Sequence, residues 1–403
     1  MRIVFIIAEF DPFHMGHAFL LGRVRERFPQ CAVAAIMSGN FTERGEPASI
    51  ERFTRARAAV LSGVNLVISL PFPWCASSSE YFARAGVAVA KGIAAAYPNE
   101  EHILAFGSEC GDVNKIKKVS GRVGSGEFAS EAVRLGHSYH GARGIEAQYR
   151  ELYGDDGAEL LSSPNDTLAV EYIKAISALS AHITPYAVKR EGTEHNGEAP
   201  RGNFASASYI RGLFLSGRTD EAIRFMPQKS AGATLEFIRR YGAASPERAG
   251  DAMMLSLRTA DGKNAEKIAE CAGGVGRRVI DAARSSGTYR DMAARAATKQ
   301  YTNARLRRAA LFTALGVESF RGTLPTYTET LAADGVGRNL LHDSVRRGGI
   351  EILTKGADFG KMTPASAGAY LCEAQAERLY TLAFSPALPS DEFLKISPFM
   401  MRE

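Results

Sequence analysis

Two histidines, His14 and His17, stand three residues apart around Gly16 in the stretch FDPFHMGH. Imidazoles placed this way can donate hydrogen bonds to phosphate oxygens as charge builds on them in a transition state. Gly16 has no Cβ, so a flat base or a phosphate can come close to the backbone. Pro12 stiffens the turn that leads in. Two other readings fit the same spacing. Histidines three apart on a helix can hold a metal ion, with Glu9 or Asp11 as the only evident third ligand. They can also be packed core residues. Of the remaining histidines, His102, His182 and His342 are isolated. His137 and His140 lack acidic or cysteine neighbours and read as a surface helix.

The surrounding pattern favours phosphate. IVFIIA (3–8), CAVAAIM (31–37), NLVISLP (65–71), HILAFGSE (102–109) and ITPYAVKR (183–190) read as strands. Helical patterns separate them, at about 17–28, 49–63, 78–96 and 166–179. Ser49 is placed to cap the second helix and Gly63 to end it. Strands alternating with helices imply parallel βαβ units and an α/β doubly wound sheet of Rossmann-like type. In such a sheet a ligand sits at the carboxyl ends of the strands near the switch point. FDPFHMGH lies there, directly after the first strand and at the start of a helix, where free N–H groups and the helix dipole attract anions.

The composition is that of an ordinary globular chain: 403 residues, 45% hydrophobic and 23% charged. The length suggests more than one domain. The boundaries expected are 1–217 for the α/β domain, 218–320 for a helical Arg-rich region and 321–403 for a small mixed C-terminal module. No run is apolar enough to span a membrane, and Glu9 and Asp11 follow Ile3–Ile7 too soon for a signal peptide. The five cysteines have no metal-ligand spacing and are expected as free thiols in the cytoplasm.

Several blocks carry a resemblance. HMGH at 14–17 is similar to the H-x-G-H signature of the adenylyltransferase superfamily that includes class I aminoacyl-tRNA synthetases. That superfamily has a second phosphate-binding signature, S-x-S-x-x-R, which SASYIR matches at Ser206, Ser208 and Arg211. FDPFHMGH, MSGNFTERGEPA (37–48), GVNLVISLP (63–71), FGSECGD (106–112), SPNDTLAVEYIKA (163–175) and YTNARLRRAALFTALG (301–316) keep their order over most of the chain. Together they resemble the tRNA(Met) cytidine acetate ligase family.

That resemblance implies an ATP-dependent ligase with a nucleotidyltransferase-like fold. ATP and acetate would give acetyladenylate and pyrophosphate. The acetyl group would then pass to the exocyclic amine of the wobble cytidine of elongator tRNA(Met), giving N4-acetylcytidine. Carried over position by position, the ATP-contacting loop is Ile7, Ala8, Glu9, Phe10, Asp11, Pro12, Phe13, His14, Met15, Gly16, His17, Ala18, Phe19 and Leu20. Gly107, Asn165, Arg190, Ser206, Ser208 and Arg211 join it, with His14, His17 and Arg211 as the catalytic set. Mg²⁺ is expected to assist, with no protein metal site assigned. The chain departs from the family at Asp11 and Asp166, where asparagine-like residues are usual. A carboxylate at Asp11 beside a triphosphate is unfavourable unless it is paired or reaches magnesium. Arg44, within the 37–48 block, reads equally as a donor to acetate, a structural ion-pair residue or a tRNA contact. Two rival readings are a cofactor-type adenylyltransferase, which would need no basic annex, and a tRNA- or nucleotide-binding protein without catalysis.

A tRNA partner should leave a basic footprint. Residues 277–308 carry nine Lys or Arg against Asp281 and Asp291, a balance of +7 in a chain whose net charge is +5. Lys299, Tyr301, Arg305 and Arg308 are the expected tRNA contacts, able to hold phosphates and stack a base. Arg52, Arg55 and Arg57 form a weaker second patch. Trp74 reads as core or as part of the pocket mouth.

Overall fold

The structure is a computed structural model and describes residues 2–134, 142–190, 200–298 and 300–402. Lys299, His137 and His140 lie outside the described residues.

The strand-like runs are near-continuous Val, Ile, Leu and Ala, which a parallel sheet covered on both faces requires. They form β1 (Arg2–Ala8), β2 (Ala32–Ser38), β3 (Leu66–Leu70), β4 (Glu101–Ser108) and β5 (Thr184–Lys189). These pair in parallel in the order β5-β4-β1-β2-β3. The order reverses between β1 and β4, so the crevice for a ligand opens at their carboxyl ends.

Alternate residues along each strand build two separate cores. Ile3, Phe5, Ile7, Ile36 and Ile68 face the helices Ser79–Ala94 and Pro164–Ala178. Val4, Ile6, Val33, Met37 and Val67 face Met15–Arg27 and Arg52–Leu61.

The C-terminal segment expected as a small module of its own is continuous with this sheet. β6 (Tyr327–Ala333) runs antiparallel to β3, and β7 (Glu351–Leu353) and β8 (Phe399–Met400) both pair with β6. Between β5 and β6 the described chain is helical, from Ala207–Leu215 to Asn303–Leu315. Among the described residues no helix is long and apolar enough to cross a membrane.

Ser49 does not cap the helix after the 37–48 block. The helix starts three residues later, and Glu51 caps it by accepting from the amides of Phe53 (2.6 Å) and Thr54. Gly63 does end it, at φ +107.

The second basic patch is absent as a surface. Arg52 and Arg55 are each 1% exposed. Arg52 is ringed by Glu329 (3.1 Å), Glu373 (3.6 Å) and Glu377. Arg55 donates to the carbonyls of Glu9, Ser38, Gly39 and Ile50, tying the ends of β1 and β2 together. Only Arg57 reaches solvent, paired with Glu236 at 3.0 Å. Trp74 is core, edge-on to Phe320.

Candidate active site

The loop after β1 is tight. Phe10 adopts φ +48, and the Asp11–Pro12 bond is cis. His14 is the N-cap of Met15–Arg27, and its Nδ1 accepts from the Gly16 amide at 3.0 Å. His17 Nδ1 accepts in turn from the His14 amide at 3.2 Å. The two rings stack with centroids 4.0 Å apart. Gly16 serves this arrangement directly: a Cβ there would stand 2.8 Å from the His14 ring.

These bonds fix the chemistry of both rings. A nitrogen that accepts an N–H carries a lone pair, so in the neutral ring the proton is on Nε2. Burial, with Arg190 and Arg211 nearby, pushes the His14 pKa down to about 3. Burial, His14 and Arg190 hold His17 well below the usual range. Both imidazoles are therefore neutral near pH 7, each with one Nε2–H to donate.

Arg211 closes the site from the helix Ala207–Leu215. Its Nη1 donates to the Asp11 carbonyl at 2.9 Å and its Nη2 to Ser208 Oγ at 3.1 Å. Ser206 caps this helix by accepting from the Tyr209 amide. At the other side of the crevice, Gly107 lies near the end of β4, with Arg190 Cγ 3.5 Å from where its Cβ would be. Asn165 Nδ2 donates to Glu109 at 2.6 Å. The structure thus brings His14, His17, Asp11, Ser208 and Arg211 into one group. Gly107, Asn165 and Arg190 border the same crevice from the β4 and β5 side.

Both departures at aspartate are structural. Asp11 is 3% exposed and accepts from the amide (2.9 Å) and hydroxyl (2.5 Å) of Ser49, with Arg211 Nε at 3.8 Å. Asp166 accepts from Ser108 Oγ (2.5 Å) and from the amides of Glu109 and Cys110 (both 3.0 Å), and so shapes the end of β4. Among the described residues no three His, Cys, Asp or Glu are grouped to hold a metal ion. The Asp11 carboxylate is already engaged by Ser49.

The 37–48 block forms a short hairpin against this loop. Glu43 donates its amide to the Glu9 carboxylate at 2.8 Å. Burial raises the Glu9 pKa. Arg44 lines a small cavity with Glu9, Asp11, Thr42, Ser49 and Arg211. Glu43, Ser49 and Arg55 were not legible as site residues, because a polar group that braces a loop has no spacing pattern.

The expected tRNA contacts separate. Tyr301 and Arg305 stay together, the guanidinium 5.1 Å from the ring centroid and half-buried. Arg308 does not join them. It is 6% exposed, and it meets Glu270 at 3.3 Å and the Glu43 carbonyl at 3.1 Å. An arginine this buried, with its guanidinium already held by Glu270 and the Glu43 carbonyl, is not offered to phosphates. The basic surface instead comprises Arg277, Arg278, Arg284, Arg290 and Arg295, all exposed on the helices Val275–Arg284 and Tyr289–Ala296.

A mostly parallel sheet with paired histidines at its switch point defines a class, and the chain matches the family model described as "HIGH Nucleotidyl Transferase" over residues 1–392. The tRNA(Met) cytidine acetate ligase of Thermotoga maritima is 30% identical over 370 residues, covering 88% of this chain and 87% of its own. That of Acetivibrio thermocellus is 28% identical over 377 residues, covering 90% of each. Crystal structures of Thermotoga maritima TmcAL superpose over 100% of both chains at 26% identity, with a TM-score of 0.89 for the form bound with alpha-thio ATP and 0.90 for the apo form. The chain belongs to the tRNA(Met) cytidine acetate ligase family.

Proposed function

We propose that this chain activates acetate with ATP and transfers the acetyl group to the exocyclic amine of the wobble cytidine of elongator tRNA(Met). The observation that carries this reading is the pair of neutral, stacked imidazoles at a helix N-terminus, with Arg211 bonded to the Asp11 carbonyl in the loop just before them.

A carboxylate is a poor acyl donor until its oxygen is given a good leaving group. In the first step an acetate oxygen attacks the α-phosphorus of ATP, and the bond to pyrophosphate breaks. The protein needs only to align the reactants and meet the charge developing on phosphate oxygens. His14 and His17 donate through Nε2 without giving up a proton, and Arg211 adds a fixed positive charge. In the second step the cytidine amine attacks the acetyl carbonyl, AMP leaves with the bonding pair, and the nitrogen loses a proton.

Two features support the substrates. The small cavity beside Arg44 and Arg211 is a candidate place for acetate. The exposed arginines of 275–296, with Tyr301 and Arg305, suit an RNA backbone and a stacked base. The experiment is ATP–pyrophosphate exchange measured with and without acetate, followed by acetyl transfer to tRNA. Acetate-dependent exchange is expected. Exchange indifferent to acetate points to the cofactor-type adenylyltransferase, and no exchange with tRNA still bound points to a binding protein.

A further inference from the structure

Arg308 is distant from the histidines in sequence, yet a short chain of bonds leads from it to the nucleotide loop. The link is the hairpin around Glu43. Phe41 bridges Pro47, the Thr42 amide donates to the Glu46 carbonyl at 2.9 Å, and the Ala48 amide donates to the Asn40 carbonyl at 2.9 Å. On one side the hairpin holds the nucleotide loop, through Glu43 N–H to Glu9 and through Ser49 to Asp11. On the other it meets the helix Asn303–Leu315. Arg308 Nη1 donates to the Glu43 carbonyl at 3.1 Å, Arg308 Nη2 lies 3.3 Å from Glu270, and Arg307 pairs with Glu46 at 2.9 Å. Gly45 turns at φ +73 with its Cα so close that a Cβ would stand 2.7 Å from the Arg308 amide nitrogen. Glu43 is thus bonded in both directions, its N–H to the nucleotide loop and its C=O to Arg308.

We propose that Arg308 is a positioning residue for adenylation. Its fork holds the Glu43 carbonyl and the Glu270 carboxylate at once, which fixes the hairpin. The hairpin in turn fixes Glu9 and Asp11, which lead into His14, and Asp11 takes the Arg211 guanidinium. A largely buried ion pair adds little net stability, so the role assigned to this one is the single arrangement it holds. Lysine carries three donors on one compact nitrogen and lacks the planar fork whose two ends meet these two partners. This inference rests on the functional reading above.

The test is acetate-dependent ATP–pyrophosphate exchange, without tRNA, on the full chain. Arg308→Gln and Arg308→Lys are expected to raise KM for ATP about tenfold while the circular dichroism spectrum is retained, the scale of a slight misplacement of reacting groups. Arg307→Gln breaks only the half-exposed pair to Glu46 and keeps the buried partners, so it folds even if Arg308 variants do not. It is expected to raise the same KM about threefold, a smaller misplacement. A merely structural role lowers kcat with the active fraction and leaves KM alone, and that outcome overturns the proposal. So does unchanged exchange with weakened, salt-sensitive tRNA binding, which would make Arg308 a tRNA contact. A wild-type chain without acetate-dependent exchange overturns the functional reading and this inference with it. A normal wild type with unmoved variants overturns this inference alone.

Discussion

The Asp11 carboxylate accepts from both the backbone amide and the hydroxyl of Ser49, at 2.9 and 2.5 Å. A charge in the nucleotide loop is thereby tied to the protein and used to brace that loop. Ser49→Ala removes the hydroxyl donor and leaves the amide. It is expected to cost about 1.5–3 kcal/mol in thermal or denaturant unfolding, the usual scale for one bond to a charged group. Asp11→Asn keeps one acceptor oxygen for the Ser49 amide and removes the negative charge. Its KM for ATP is expected to fall by roughly threefold, as one partly screened charge would give. A rise in KM would mean that the carboxylate itself is needed.

His14→Ala and His17→Ala are each expected to lower kcat for pyrophosphate exchange by roughly 10²–10³, the scale for losing one preorganised donor to developing charge. Binding of tRNA, read by filter retention, should persist. His17→Ala also strips the acceptor from the His14 amide, so its effect should be at least as large.

The pH behaviour follows from the two neutral rings. The His14 pKa is pushed down to about 3 by burial and by the nearby arginines. In the free enzyme, kcat/KM for ATP should therefore show no acidic limb near the ordinary histidine value of 6.5. Stability responds in the opposite sense. Below pH 6.5 the unfolded chain takes up protons that the folded rings refuse, so His14 destabilises the fold progressively from there toward pH 3, and His17 acts in the same direction. An acidic limb near pH 6.5 that disappears in His14→Gln would contradict this.

Glu377 gives the reverse slope at higher pH. Burial, only partly offset by Arg52, raises its pKa to about 8. The folded chain holds a proton there that the unfolded chain loses above about pH 4.5, so this contribution is full below that pH and is lost as the pH rises through 8. Glu377→Gln mimics the protonated form. It is expected to match wild type only below about pH 4.5, to melt progressively higher than wild type above that, and to exceed it by several degrees near about pH 9, on the scale of about 1 kcal/mol per few degrees.

The proposed RNA surface is tested by charge. Reversing Arg277 and Arg295 to glutamate should weaken tRNA binding. It should also flatten the dependence of log K on log salt by about one for each phosphate that is no longer neutralised. An unchanged slope would move the surface elsewhere.

Much of this was legible in the residues themselves. The runs at β1 to β4 are apolar enough to demand a doubly covered parallel sheet, and FDPFHMGH then falls at its switch point by position alone. What did not show is buried polarity. Arginines usually lie outside, so Arg52, Arg55 and Arg308 read as surface charges until their acidic and carbonyl partners, remote in sequence, come into view. β6 was obscured for the same reason. Thr328, Glu329 and Thr330 put polar side chains into a buried strand, where Thr328 Oγ1 donates to the Ser69 carbonyl at 2.6 Å and Glu329 meets Arg52. The basic face lies on two of the expected helices but not on all of the expected residues, since a count of charges does not say which way each one turns.

β6 lies against β3 although well over half the chain is made between them. During synthesis on the ribosome, the outer edge of β3 therefore waits, unpaired, for its partner to emerge. An uncovered edge of this kind recruits other strands. Fragments ending before Tyr327 should accordingly be sticky rather than functional, and the nucleotide-binding sheet cannot be harvested as a free-standing N-terminal piece.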